Sequence, residues 1–123
     1  MKILIVDDSA VSRRQIERML SSLEIEVKTA SNGVEAMVIF KQFKPDFVTM
    51  DLTMPDMGGL ECVQKMIGLN PQSKILVISA LGDKESAVDA VDFGARGFLL
   101  KPVTAERLEI EIREILAEEL LEV

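Results

Sequence analysis

Four short runs of apolar residues constrain the fold of this chain more than any other feature: "KILIV" at 2–6, "DFVTM" at 46–50, "KILVIS" at 74–79 and "GFLL" at 97–100. Each is too short for a helix and lacks the alternation of a half-exposed strand, so each reads as a strand covered on both faces. A fifth run, "EVKTA" at 26–30, alternates and reads as an edge strand. Between these runs apolar residues return at helical spacing: Ile16, Met19, Leu20 and Leu23, then Ala36, Phe40 and Phe43, then Leu60, Val63 and Ile67. Turn and capping residues precede the later helices, in "SNG" at 31–33, "MPDMGG" at 54–59, "LGDKES" at 81–86 and "KPVT" at 101–104. The pattern predicts five βα units, a parallel sheet with helices on both sides.

The residues that close these runs are polar. The first strand ends at Asp7 and Asp8, the third at Asp51, the fourth at Ser79 and the fifth at Lys101. In a parallel α/β sheet all C-terminal strand ends share one edge, and ligands bind there where the strand order reverses. A flavodoxin-like order of 2-1-3-4-5 puts that reversal between strands one and three, the strands that carry the acids. Adjacent carboxylates at the end of a buried strand repel each other and lose hydration, so the cluster calls for a cation. Three carboxylates are hard oxygen ligands suited to Mg²⁺, and Lys101 supplies a fixed positive charge. This set suits phosphoryl transfer, with Asp51 as the nucleophile that forms an acyl phosphate.

Composition narrows the function. A chain of 123 residues fits one domain, 1–123, with no linker, repeat or low-complexity segment. A net charge of −7 disfavours direct nucleic-acid binding. No apolar run approaches a membrane span, and the N-terminus enters a strand without a signal-like segment, so the expected location is the cytoplasm, away from any membrane. The single cysteine, Cys62, fits a reducing compartment, and with no His in the chain to activate it Cys62 reads as a small helix residue without chemistry.

"LIVDDS", "MDLTMPDMGG", "VISA" and "GARGFLLKP" resemble, in order and spacing, the receiver domain of bacterial response regulators. The resemblance runs from Ile3 through the final helix, and the length is most similar to the stand-alone chemotaxis type. It implies a phosphorylation-activated switch of a two-component system rather than an enzyme in the usual sense. Asp51 would be the phosphoacceptor, and Asp7 or Asp8 would join Asp51 and the backbone carbonyl of Thr53 as Mg²⁺ ligands. Lys101 would contact the phosphoryl group and precede a cis Pro102. Ser79 and Phe98 would form the switch pair, Ser79 turning toward a phosphoryl oxygen and Phe98 filling the space it vacates. The implied partners are a sensor histidine kinase or a small phosphodonor, since this chain has no His of its own to carry the phosphoryl group, and a downstream protein target.

Three other readings compete. Mg²⁺-dependent phosphohydrolases of the haloacid dehalogenase type also place a nucleophilic Asp at a strand end, but they need a second Asp two residues on, where this chain has Thr53. An FMN-binding carrier of similar fold needs a phosphate-holding loop after strand one, where "DDSA" presents carboxylates. The third is a receiver cut from a longer DNA-binding regulator.

The last segment holds most of the acidity. Residues 104–123 contain seven Glu against Arg107 and Arg113, five of the seven net negative charges. On a helical wheel Leu108, Ile112, Ile115 and Leu116 form one stripe, suited to packing on the sheet. Ile110, Ala117 and Leu121 form a second stripe on the opposite side, the candidate output surface.

Overall fold

The computed structural model describes residues 1–54 and 56–121, with the backbone alone for Leu81 and residues 118–121. Among these residues strands and helices alternate: β1 Lys2–Val6, α1 Ala10–Met19, β2 Glu26–Ala30, α2 Gly33–Phe43, β3 Phe47–Met50, α3 Gly59–Leu69, β4 Ile75–Ser79, α4 Lys84–Asp92, β5 Gly97–Leu100 and α5 Ala105–Leu121. A 3-10 turn, Leu81–Asp83, leads into α4. The strands pair in parallel in the order β2-β1-β3-β4-β5, the expected flavodoxin-like, doubly wound sheet. As its alternation predicts, β2 lies at an edge, with Glu26 and Lys28 exposed.

The continuous apolar runs are explained by a core on each face of the sheet. Leu4, Val6, Val48, Met50, Ile75 and Val77 join residues of α2, α3 and α4 in one cluster. Ile3, Ile5, Phe47, Leu76, Ile78 and Leu99 join residues of α1 and α5 in the other. Successive side chains of one strand therefore enter opposite clusters, and in the inner strands the buried positions before the strand ends are apolar except Thr49 of β3.

Helix ends follow local chemistry. Ser9 caps α1, its hydroxyl accepting from the Ser12 amide at 3.2 Å, and Asn32 caps α2 by accepting from the Glu35 amide at 2.8 Å. The spacing of Ile16, Met19, Leu20 and Leu23 predicts a helix reaching Leu23, but α1 ends at Met19 with Leu20 as its C-cap. Beyond it the Ser21 hydroxyl donates back to the Arg18 carbonyl at 2.7 Å, a local bond that competes with helix continuation, and Leu23 packs on the core from outside the helix. Gly59 is required by close approach, since a Cβ there would collide with the backbone of Asp51 and Leu52. Gly94, with φ of +118°, turns the chain after α4 in a conformation other residues adopt only with strain.

On α5 Leu108, Ile112 and Ile115 are buried and Leu116 packs beside them, as the first stripe predicts. Ile110 and Ala117 are exposed, and the side chain of Leu121 lies outside the described residues. Arg107 pairs with Glu111 and Arg113 with Glu109 along the exposed surface. No helix among the described residues is long and apolar enough to cross a membrane.

Candidate functional site

The C-terminal sheet edge gathers the polar strand ends. β1 and β3 are neighbours with Val6 opposite Met50, so Asp7 and Asp51 leave the sheet side by side. Backbone bonds anchor both: the Asp7 amide donates to the Ala30 carbonyl at 3.1 Å and the Asp51 amide to the Val6 carbonyl at 2.9 Å. Ligand oxygens of Asp7, Asp8 and Asp51 all lie within 4.8 Å of one another.

The two adjacent acids differ in environment. Asp7 is 1% exposed and bonded at both oxygens: Lys101 Nζ donates to its Oδ2 at 2.8 Å and the Ser9 amide to its Oδ1 at 2.9 Å. Asp8 is exposed to solvent. The cation demanded by a buried carboxylate at the end of β1 is thus Lys101, brought from the end of β5 across the sheet edge. The Lys101–Pro102 bond is cis, as expected, and the Lys101 amide donates to the Ser79 carbonyl at 2.8 Å. Arg13 and Ser12 complete this side, Arg13 donating to the Asp7 carbonyl at 2.7 Å and Ser12 Oγ lying 3.4 Å from Lys101 Nζ.

Asp51 is 6% exposed and lacks a direct ion pair among the described residues. Its Oδ1 accepts from Ser79 Oγ at 3.3 Å and from the Thr53 amide at 3.5 Å, both long. Burial, then the charge of Asp7, push its carboxyl up from an ordinary 3.8 to about 6, against the opposing influence of Lys101 and the Thr53 amide. An all-oxygen donor set with this much uncompensated negative charge fits a hard divalent cation such as Mg²⁺.

Ser79 is fully buried at the end of β4 and donates to Asp83 Oδ2 at 2.9 Å. Phe98 is half-buried against the cluster that holds Val77, Ala87 and Ala90, with Val77 as its β5–β4 register partner. Ser79 lies two residues beyond Val77, so Ser79 and Phe98 share one face of the sheet. Thr53 is exposed, and its hydroxyl donates to Asp83 Oδ2 at 2.8 Å. The second acid that a haloacid dehalogenase needs is absent from position 53, and Asp83 is held by hydroxyls on the Ser79 side.

Sequence reasoning missed Asp83, Ser12, Arg13 and Asp56. Asp56 Oδ1 accepts from the Gly33 and Met57 amides at 3.1 and 2.7 Å, tying the loop after β3 to the start of α2, and these bonds, Met57 first, lower its carboxyl below the ordinary range. Asp83 sits four residues after Ser79, in a loop whose path only the fold reveals. Cys62 is buried in α3 and desolvation pushes its thiol up to about 11, consistent with a residue without chemistry.

The flavodoxin-like sheet brings carboxylates, a hydroxyl and a lysine together where its strand order reverses, the arrangement expected of a receiver domain. The chain belongs to the response regulator receiver domain family, whose model matches residues 3–113. It is 39% identical over 109 residues to the chemotaxis protein CheY of Listeria monocytogenes, covering 88% of this chain and 92% of that protein. Among solved structures it superimposes on a receiver domain protein from Clostridium thermocellum with a TM-score of 0.91, 31% identity and coverage of 99% and 98%. It also matches the CheX–CheY–BeF3–Mg²⁺ complex of Borrelia burgdorferi, with a TM-score of 0.87, 30% identity and coverage of 94% and 89%.

Proposed function

We propose that Asp51 accepts a phosphoryl group from a phosphohistidine of a sensor kinase, or from a small phosphodonor, and that this modification changes the surface offered to a downstream protein. The observation that carries the reading is the convergence of Asp7, Asp8 and Asp51 within 4.8 Å beside Lys101 at the sheet edge. One carboxylate oxygen of Asp51 attacks phosphorus as the bond from phosphorus to the donor breaks, and the donor leaves with that electron pair. Mg²⁺, held by the carboxylates of Asp7, Asp8 and Asp51 and the carbonyl of Thr53, would neutralise the oxygens of the transferred group. Lys101, already at the site, supplies a fixed charge for the same oxygens. The Ser79 hydroxyl, on the Asp51 side of β4, turns to a phosphoryl oxygen in a charge-assisted hydrogen bond, and Phe98 on the same face follows into the space. The signal then leaves through the surface that includes Ile110, Ala117 and Leu121 on α5.

The similarity to a CheY solved with beryllofluoride, Mg²⁺ and CheX supports both the cofactor and a protein partner. A cytoplasmic location, within reach of a kinase, fits the buried thiol of Cys62. Thermal unfolding in beryllofluoride and Mg²⁺ tests the reading. The two together should raise the melting temperature of the wild type and leave that of Asp51→Asn at its Mg²⁺-only value. An equal rise in both proteins would refute Asp51 as the acceptor.

A further inference from the structure

We infer that Asp83 is a latch on the switch: in the unphosphorylated protein it competes with Asp51 for the Ser79 hydroxyl proton and holds the shorter contact, so that phosphorylation must displace it. The inference rests on Asp51 being the acceptor and adds a positioning residue to that site. Ser79 Oγ carries one proton and faces two acceptors, Asp83 Oδ2 at 2.9 Å and Asp51 Oδ1 at 3.3 Å. A hydroxyl donates fully to one acceptor at a time, and the shorter contact is to Asp83. The same oxygen of Asp83 accepts from Thr53 Oγ1 at 2.8 Å, so one carboxylate ties the loop after β3 to the end of β4.

The position of Asp83 in the chain makes this arrangement informative. It immediately precedes α4, where an aspartate ordinarily caps the helix by accepting from a first-turn amide. Its side chain makes no such bond and points to the two hydroxyls instead. Helix capping therefore does not account for the residue, whose side-chain bonds among the described residues are to Ser79 and Thr53. A phosphoryl group on Asp51 brings a stronger acceptor to Ser79 and a negative charge that repels Asp83. The Ser79 hydroxyl then redirects its hydrogen bond from Asp83 to the phosphoryl oxygen, and the start of α4 loses its tie to β4. Asp83 thereby sets the threshold for switching and links it to α4.

The test is a calorimetric titration of beryllofluoride in saturating Mg²⁺ into wild type, Asp83→Ala, Asp83→Asn, Ser79→Ala and the Ser79→Ala/Asp83→Ala pair. Loss of a charge-assisted competitor should tighten binding to Asp83→Ala about tenfold, and Asp83→Asn, which keeps an acceptor, should fall between it and the wild type. In the Ser79→Ala background the same change should gain about twofold or less, because the bond it relieves is already gone. An equal gain in both backgrounds would reduce Asp83 to a repelling charge and overturn the latch, as would no gain in either alanine or asparagine variant. If the wild type itself takes up no beryllofluoride, the acceptor reading fails and the latch with it.

Discussion

At the residue scale the site is a balance between one relieved carboxylate and one unrelieved. Asp7 has Lys101; among the described residues Asp51 has only long hydrogen bonds, and burial with the Asp7 charge pushes its carboxyl up to about 6. Between 3.8 and about 6 the native state binds a proton that the unfolded state has released. Stability from this group is therefore fully present below 3.8 and lost as pH rises through about 6, on the order of 2–3 kcal/mol in the absence of metal. Asp51→Asn removes that loss. In chelator the variant should be more stable than the wild type at pH 8 by roughly 2 kcal/mol in urea unfolding, with the difference closing at pH 4. Replacing Lys101 with Met leaves Asp7, 1% exposed, without its cation and should cost about 2–3 kcal/mol, partly restored by Mg²⁺ in the same assay. Sequence showed that the acids and the lysine meet, because strand ends are positions that a short apolar run marks. It did not show which of Asp7 and Asp8 is buried, since that depends on how the chain turns after β1, nor that Asp83 reaches Ser79, since that depends on a loop path with no periodicity to read.

Among the elements, α5 and the start of α3 show where packing, and not propensity, decides. Ile110 and Ile112 lie two residues apart on α5, one 39% exposed and the other 2%. Ile112→Ala should cost about 3 kcal/mol, whereas Ile110→Glu should alter stability by less than about 0.5 kcal/mol and leave Asp51 phosphorylation intact. If the α5 surface carries the output, Ile110→Glu should also weaken the partner capture gained in beryllofluoride, and undiminished capture in a pull-down would send the signal through another face. The start of α3 is less forgiving. Gly59→Ala forces a Cβ into the backbone of Asp51 and Leu52 and should cost about 3 kcal/mol, with Asp51 displaced as the helix backs away. The buried stripe of α5 was legible from helical spacing alone, as was the exposure of Ile110 and Ala117. The early end of α1 was not, because Leu23 keeps the helical interval yet reaches the core from beyond the C-cap.

For the whole molecule, the parallel sheet does two jobs with one geometry. Its inner strands are mostly apolar because helices cover both faces, so polar side chains collect at the ends, Thr49 within β3 being a buried exception, and at the C-terminal edge they become a site. Strand order then selects which ends meet: β1 beside β3 brings Asp7 to Asp51, β4 adds Ser79, and Lys101 spans from β5 to Asp7. This is why fold and site were legible together, and why the surface that receives the signal was not, since exposed residues such as Val88, Val91 and Ile110 obey no such rule. By the proposed reading, this convergence makes Asp51 the phosphoacceptor. Intact-mass spectrometry after incubation with a small acyl phosphate tests it most directly. One phosphoryl group should appear on the wild type in Mg²⁺, and none on Asp51→Asn or on the wild type in excess chelator; uptake that survives the substitution, or proceeds equally without the metal, would contradict the account.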